Sequence, residues 1–502
     1  MSDRIFITLN GRVLPAQAGT LLSHLIDGEH PCAGRGRCGK CRVLATGALS
    51  PVSEAEKKHL SEEELRRGVR LSCLTRAMGD CTVTTEQAGE AQILTSGVLP
   101  ALSLSPTFEQ YGAAIDIGTT TLAAHLYGKD GRLLAQAAAK NPQATFGADV
   151  VSRIEAALNG QGQALTAAIL QAIDALLYAL AEAVGVPTNE IDGVVLTGNT
   201  AMLSFACGVD TEPLSHAPFA VKDLFGRGVT AADLPLTALK GCTPVYLAPC
   251  ISAFVGADTV CAVLSAQLQQ HETALLADIG TNGEMALWHK KALTVCSTAA
   301  GPAFEGVGIS AGMQGTAGAI YKVTVEKGRL ISQTIGDTAP RGICGSGLID
   351  AVAAMLQTDV LDEGGYLEGE RFALCDTVAL TDGDIRMLQL AKSAICAGII
   401  TLLKQQDLTP SAKIPLYIAG GFGTNLNLES AAAIGLLPAP LTKSATAIGN
   451  AALTGAAMLL LSREMRDKAE QLAKEAILLS LATSSTFSEA YMMGMLLAPT
   501  EE

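Results

Sequence analysis

The stretch LLADIGTNGEMALW, from Leu275 to Trp288, repeats an earlier one, GAAIDIGTTTLAAHLY, from Gly112 to Tyr127, and nothing else in the chain constrains its fold as tightly. In each copy an apolar run leads to an aspartate (Asp116, Asp278). A glycine two residues on (Gly118, Gly280) turns the chain, hydroxyl residues follow, and an apolar run leads back. The pattern predicts strand, tight turn, strand. Such a turn offers N–H groups and threonine hydroxyls to phosphate oxygens, and an aspartate at a strand end can hold Mg²⁺ through water. One Asp-x-Gly turn is an ordinary strand connection. Two copies, 162 residues apart, predict a clamp that holds nucleotide between two lobes.

A third piece, IAGGFGTNLN from Ile418, lets backbone approach a flat ring at Gly420-Gly421 and supplies amides at Asn425 and Asn427. The order Asp-Gly-Thr, Asp-Gly-Thr, Gly-Gly resembles the phosphate-1, phosphate-2 and adenosine motifs of the ATPase superfamily of actin, heat-shock chaperones and sugar kinases. That resemblance implies an α/β, two-lobed, actin-like (ribonuclease H-like) ATPase. It makes Asp116 and Asp278 the catalytic pair that orients Mg²⁺ and water. Gly118, Thr119, Thr120, Thr121, Gly280, Thr281, Asn282, Gly283, Glu284, Gly420, Gly421 and Asn425 become ATP contacts. VVLTGNTAML predicts a buried strand ending at Gly198-Asn199, where Asn199 either meets phosphate or caps a helix. NPQATFGADVVSRIEAAL reads as a loop feeding an amphipathic helix. CSTAAGPAFEGVGISAGM and GICGSGLIDAVAAML read as Gly-rich turns entering helices; because helix N-termini favour anions, Gly345, Ser346 and Gly347 join the nucleotide candidates.

At 502 residues the chain predicts two to four domains. No apolar run reaches bilayer length on this reading: AAILQAIDALLYALAEAVGV carries Asp174 and Glu182 and predicts an amphipathic helix, so no membrane partner is expected. MSDRIFITLNGRV lacks a signal pattern and predicts a cytoplasmic protein, where disulfides among the 13 cysteines are disfavoured. Residues 1–90 balance 12 basic against 11 acidic side chains, whereas the remainder holds 23 against 38. An acidic body of this kind excludes nucleic acid as a partner.

The change in charge marks a change in chemistry. RIFITLNGRVLPA alternates around Asn10-Gly11, a hairpin signal, and TLLSHLIDG predicts a short helix. PCAGRGRCGKCRVLATG then places Cys32, Cys38 and Cys41 in a glycine-rich loop, with Cys73 following in LSCLT. Three close thiolates and one distant suit a 2Fe-2S cluster, two ligands per iron. Zinc sites more often take two separated C-x₂-C pairs, and Cys73 has no partner thiol beside it. Cys81, the rival fourth ligand, sits in a period-2 run that predicts a strand. The spacing, five residues then two, resembles vertebrate-type and bacterial 2Fe-2S ferredoxins and implies a β-grasp, α+β domain. Arg35, Arg37, Lys40 and Arg42 interleave with the ligands, either offsetting the cluster's charge or forming a docking face for acidic electron-transfer partners. The remaining eight cysteines, Cys207, Cys242, Cys250, Cys261, Cys296, Cys344, Cys375 and Cys396, show no ligand spacing and read mostly as small buried hydrophobes. The histidines pair nowhere as ligands, and Gly345-Ser346-Gly347 is too short for a nucleophile elbow.

The expected division is 1–87 ferredoxin-like, 88–111 linker, 112–271 first ATPase lobe and 272–502 second lobe with the adenosine motif. With DIGTTT, GADVVSRI, DIGTNGE, STAAGPAFEG, GICGSGLID and AGGFG in that order, the chain is similar to the ATP-dependent reductive activators of corrinoid proteins. The resemblance implies a 2Fe-2S cluster, ATP and Mg²⁺ as cofactors. It implies reduction of a corrinoid methyl carrier from Co(II) to Co(I) in anaerobic methyl-transfer metabolism, with electrons from an upstream ferredoxin, flavodoxin or reductase. Relatives can carry an extra small domain where only the linker stands here, which leaves a homodimer open. Two alternatives stand beside this reading: a small-molecule kinase of the same fold, and a nucleotide-gated iron-sulfur redox sensor. Within the loop Cys296–Gly301, Ser297 is either a contact to the partner's cobalt or part of a phosphate-side turn.

Overall fold

The computed structural model describes residues 4–9, 12–26, 34–37, 39, 41–85, 97, 99–369, 371–421 and 425–501. Cys32, Cys38, Lys40 and the Asn10-Gly11 turn lie outside them. By contact density the chain divides into two units, Met1–Gly89 with Pro142–Leu165, and Glu90–Asn141 with Thr166–Glu502.

In the first unit, a sheet runs in the order Arg12–Gln17, Arg4–Leu9, Arg76–Thr84, Arg42–Leu49, Val69–Leu71, with Thr20–Leu21 also on Arg76–Thr84. Leu9 pairs with Arg12, which leaves two residues for the hairpin connection, as the alternation predicts. The first and last long strands run parallel and the remaining pairs antiparallel. The core beneath is Ile5, Ile7, Leu22, Val43, Ala45, Ala77, Cys81 and Val83, while Cys41, Leu60, Leu71 and Cys73 form a separate apolar cluster. The predicted helix TLLSHLIDG is corrected: Thr20–Leu21 is strand and Leu22–His24 a single 3₁₀ turn. Hydrogen bonds to Ser72 and Thr75 hold the chain there against the neighbouring loop. Asp149 caps the helix Val150–Ala156, and the chain leaves helical geometry at Asn159 and Gly160 before the helix Gly162–Val184 begins.

The second unit contains the same sheet twice. One runs Arg227–Thr230, Pro244–Leu247, Ile191–Gly198, Tyr111–Ile117, Thr121–Gly128, Leu133–Lys140; the other runs Ala445–Gly449, Leu416–Ala419, Thr273–Ile279, Gly283–His289, Ala292–Thr298, Ile477–Leu478. In both, three antiparallel strands in sequence order are extended by two parallel ones on the side of the first. The central strands are buried nearly throughout, so they read as apolar runs rather than alternations. This is the two-lobed actin-like fold that the repeated turns predict, preceded by a β-rich domain.

The segment from residue 99 runs along the second unit: Ser105 and Thr107 hydrogen-bond to Leu461 and Leu460, and Phe108 lies against Gly112 and Gly193. Two expectations are corrected. CSTAAGPAFEG does not enter an α-helix, since Ala292–Thr298 is a strand and Pro302–Glu305 one 3₁₀ turn. Two helical stretches, Val150–Val184 and Asp382–Lys404, are long and apolar enough to cross a membrane by length and composition. The first is interrupted at Asn159-Gly160, and the second is enclosed by the second lobe, whose core takes Ile385, Leu388, Ile395, Ile399 and Leu403.

The helix Ala451–Leu461 packs on Tyr111–Ile117, Ile191–Gly198 and the helix Ala257–Ser265, carrying the C-terminal part of the chain back onto the first sheet. Gly455 makes this possible, because a Cβ there would stand 2.1 Å from the Cys261 carbonyl oxygen.

Candidate functional site

The two repeated turns meet in one cleft. In the first, Gly118 is required by crowding, as a Cβ would lie 2.6 Å from the Thr121 carbonyl oxygen. Asn141 holds the loop from behind, its Nδ2 donating to Gly118 O at 2.8 Å and its N–H to Thr120 O at 2.9 Å. Asn199 does two things at once. Its Oδ1 accepts from Met202 N–H at 3.0 Å, capping the helix Thr200–Ala206, and its Nδ2 donates to Thr119 Oγ1 at 3.1 Å. Gly198 passes so close to Ile117 O that a Cβ would lie 2.6 Å away.

In the second turn Gly280 N–H bonds Asn282 O at 3.1 Å and Gly301 N–H bonds Thr281 O at 2.9 Å. Gly283 packs on Ile395, where a Cβ would stand 2.2 Å from its side chain. Glu305 spans the cleft: Thr120 Oγ1 donates to its Oε2 at 3.3 Å and Thr281 Oγ1 donates to its Oε1.

Carboxylates gather below. Asp278 and Glu284 are directly paired across their strands, whereas Ala123 stands opposite Asp116, whose Oδ2 accepts instead from Asn450 Nδ2 at 3.1 Å. Asp258, in the first turn of Ala257–Ser265, completes the set. Desolvation, with the charge of Asp258 next in size, pushes Asp116 and Asp278 each up to about 7. Asp258 and Glu284 are raised as well, chiefly by desolvation. Carboxylates this close are poorly compensated by the protein, which is the electrostatic condition for taking up a cation. Among the described residues no three His, Cys, Asp or Glu side chains converge tightly enough to ligate a metal directly.

Gly420 has φ +90° and comes within contact of Asp278 Oδ1, which a Cβ would meet at 2.8 Å, whereas among the described residues nothing lies within 4 Å of a Cβ on Gly421. Asn425 is exposed, and Asn427 caps the helix Leu428–Ala433 by accepting from Glu429 N–H. The candidates at Gly345–Gly347 are buried: Ser346 Oγ donates to Tyr321 O at 2.9 Å, and Gly347 lies against Ile320 O. Ser297 pairs with Glu284 across the sheet and hydrogen-bonds its carboxylate, so any role at a partner's cobalt would require it to leave that bond. Asp258, Glu305, Asn141 and Asn450 carry no sequence signal of their own. GPAFEG and NPQATFG are visible as motifs, but the contacts of Glu305 and Asn141 arise only once strands far apart in sequence pair.

In the first unit Cys41 Sγ and Cys73 Sγ lie 3.1 Å apart, both buried. The adjacent Cys73 thiol pulls the Cys41 thiol below its usual range. Cys81 sits on a strand in the other core, its thiol raised by burial. Gly36 and Gly39 crowd Leu74 and His59, each leaving under 3 Å for a Cβ, which keeps the loop backbone close in. Arg42 is engaged with Glu64, Gly39 O and His59 O, and Arg35 with Glu155.

Residues 272–502 match the family described as the C-terminal domain of RACo, the ASKHA domain, and residues 111–271 match the RACo middle region. The chain is 34% identical over 414 residues to the corrinoid activation enzyme RamQ of Eubacterium limosum, covering 76% of this chain and 70% of that one. The chain belongs to the RACo family. The [Co(II) methylated amine-specific corrinoid protein] reductase of Methanosarcina barkeri is a further relative, 26% identical over 416 residues and 76% of each chain. Among solved structures, a reductive activator for corrinoid, iron-sulfur protein superposes with a TM-score of 0.69 at 28% identity, covering 99% of this chain and 98% of that one. The N-terminal region is similar to one component of the Na⁺-translocating NADH-quinone reductase of Chlamydia muridarum, 32% identical over 72 residues, or 14% of this chain and 17% of that one. As a RACo-family chain it carries an ASKHA ATPase domain, which implies nucleotide binding.

Proposed function

We propose that this chain couples ATP hydrolysis to the transfer of one electron from a 2Fe-2S cluster to the Co(II) of a corrinoid methyl-carrier protein, producing Co(I). The observation that carries the reading is the union, in one RACo-family chain, of a buried thiol pair 3.1 Å apart with a duplicated, hydroxyl-lined cleft over clustered carboxylates. Cys41 and Cys73 are close enough to serve a single iron. Cys32 and Cys38 complete the ligand set in this proposal.

A cluster of this type supplies one electron near about −400 mV, and for a one-electron transfer each ~59 mV of mismatch costs a factor of ten. Transfer to a lower-potential cobalt is therefore uphill. ATP can help only if it binds two states of the protein differently. The chain has the parts for that: Thr119, Thr120 and Thr281 hold phosphate oxygens, Asn141 and Asn199 hold the first turn in shape, and Asp116, Asp278, Asp258 and Glu284 orient a hydrated cation. Gly420, where a Cβ would lie 2.8 Å from Asp278 Oδ1, lets the adenosine segment lie directly against that carboxylate.

The test mixes reconstituted protein, a low-potential reductant and ATP with candidate Co(II) corrinoid proteins and follows the cobalt absorbance. The expected result is ATP-dependent formation of Co(I). Hydrolysis without cobalt reduction for any corrinoid protein, or phosphate transferred to a small acceptor, would overturn the reading.

A further inference from the structure

We propose that Asn450 is a positioning residue for ATP hydrolysis, holding the Asp116 carboxylate in its working orientation from the point where the chain crosses between the two lobes. The inference rests on the reading that Asp116 acts in hydrolysis. Asn450 follows at once on the strand Ala445–Gly449 of the second sheet, yet the helix it begins, Ala451–Leu461, packs on strands of the first. Both sides of it are fixed. Gly449 (φ +68°) accepts from Gly420 N–H at 3.1 Å, and Gly455, further along the helix, lies against the Cys261 carbonyl.

The two ends of the Asn450 amide do different things. Oδ1 accepts from Leu453 N–H at 2.8 Å and so caps the helix, while Nδ2 donates to Asp116 Oδ2 at 3.1 Å. A helix N–H can only donate, so the atom it meets must be the amide oxygen, which leaves the nitrogen facing the carboxylate. Among the described residues Asp116 has no other hydrogen-bond donor. The residue type carries the argument further. Asp and Ser cap a helix about as well as Asn, but only Asn adds to the capping oxygen a second atom that donates. Asn199 is built alike at the same phosphate turn, capping Thr200–Ala206 with Oδ1 and donating to Thr119 Oγ1 with Nδ2.

Strand pairing fixes where the Asp116 side chain starts, opposite Ala123, and the bond from Asn450 fixes where it points. Because the donor sits on the crossover, a shift of the second sheet against the first carries the donor with it. A group misplaced by about 1 Å can cost about 100-fold in rate, so a donor that sets the direction of one carboxylate is enough to govern hydrolysis.

The experiment compares wild type with Asn450→Ser, Asn450→Asp, Asp116→Asn and the exchanged pair Asp116→Asn with Asn450→Asp. It reads the thermal midpoint without nucleotide, the affinity for a non-hydrolysable ATP analogue and the kinetics of phosphate release. Asn450→Ser keeps the cap and is expected to retain the wild-type midpoint and analogue affinity while kcat falls about 10- to 100-fold. A fall in kcat with binding unchanged marks an interaction that acts in the transition state. Asn450→Asp also keeps the cap but sets an acceptor against Asp116, and is expected to lower the midpoint together with kcat. In the exchanged pair donor and acceptor trade places, so the midpoint should recover while hydrolysis does not. An Asn450→Ser variant with wild-type kcat would overturn the proposal. So would one whose kcat falls only along with its midpoint and analogue affinity, which is what a helix cap alone would give. An exchanged pair as unstable as Asn450→Asp would overturn it too, because the two side chains would then not meet. The reading of the cleft fails separately: an Asp116→Asn variant that hydrolyses ATP at the wild-type rate removes Asp116 from the reaction, whatever the midpoints show.

Discussion

Two regions of the molecule enclose carboxylates and drive them in opposite directions. In the ferredoxin-like domain Glu56 is fully buried, and although burial alone would raise it, bonds from Arg70 and from the Ser53 and Leu71 N–H groups, together with the Arg70 charge, hold it at about 2. Thr75 Oγ1 adds a further donor at 3.0 Å. In the cleft, Asp116 and Asp278 meet few donors and several acids and stand near 7. The first environment is finished by the protein itself; the second is left for a ligand to finish. A saturated buried carboxylate is structure, and a crowded, under-compensated set is a binding site.

The largest test of this contrast is to neutralise one acid of the crowded set. Asp116→Asn and Asp278→Asn are each expected to reduce ATP hydrolysis by about three orders of magnitude or more, losing several kcal/mol of preorganised electrostatics. Each should also raise the thermal midpoint of the nucleotide-free protein, because a poorly compensated charge is removed, the usual trade of stability against activity. Calorimetry beside a phosphate-release assay reads both. A variant that loses stability along with activity would show that these acids are as satisfied as Glu56.

The converse substitution, Glu56→Gln, leaves Arg70 buried without its counter-ion and is expected to cost the first domain about 3–5 kcal/mol. Its pH signature follows from the direction of the shift. The contribution of Glu56 is complete above its ordinary value of 4.5 and is lost as pH falls from there toward about 2. Wild type should therefore lose stability across that acid window, and the variant should show a flatter profile there. Denaturant titrations monitored by far-ultraviolet circular dichroism would measure it. Because Glu56 also bonds the chain at Leu71 and Thr75, on either side of Cys73, weaker cluster retention is expected too.

The sequence made the paired turns and the doubled lobe legible because each rests on local chemistry: apolar runs with the period of a buried strand, an aspartate, and a glycine where a side chain would collide. The Cys41 to Cys73 grouping was legible for another reason, because a thiol spacing of three close and one distant marks a shared ligand set. What the sequence concealed depended on long-range pairing. Asp258 and Asn450 meet the Asp116 neighbourhood only after strands and helices far apart in sequence stack. Residues 99–110 have no period of their own, and their described hydrogen bonds are long-range, Ser105 and Thr107 to Leu461 and Leu460 and Glu109 and Gln110 to Asp192, which no local pattern encodes. Ser297 reads as part of an open loop because Cys296-Ser297-Thr298 lacks the bulk of a strand, yet pairing with Gly283–His289 supplies what propensity does not. The helix Asp382–Lys404 has bilayer length and apolarity for a different reason, since burial inside a large lobe selects the same composition as lipid does.

The contrast can be sharpened within the cleft, where the two turns share a motif but not a tolerance. Gly118→Ala would push a methyl to 2.6 Å from Thr121 O and is expected to cost about 1–3 kcal/mol and to impair nucleotide binding. Gly280→Ala would meet nothing closer than Asn282 O at 3.5 Å, an ordinary contact, and should change stability by less than about 0.5 kcal/mol. Equal effects in thermal unfolding would mean that the glycines serve one shared requirement, such as close approach of phosphate, rather than two different backbone environments.

The smallest effect belongs to a third kind of carboxylate, paired but open to water. Glu155 Oε2 lies 2.5 Å from Arg35 Nη2 within the first unit, but the two side chains keep 50% and 44% of their surface exposed. The pair is thus as close as the Glu56–Arg70 pair but lacks its enclosure. Exposed pairs gain little, since water already solvates both ions and two long side chains must be ordered to bring them together. Glu155→Ala is accordingly expected to cost less than about 1 kcal/mol, and the difference should disappear near 1 M salt, where screening acts within about 3 Å. Thermal unfolding of wild type and variant at low and high salt measures this directly. A loss approaching that of Glu56→Gln, or one that salt does not remove, would show that proximity rather than enclosure decides what a carboxylate contributes here, and would break the contrast between the buried acid and the open one.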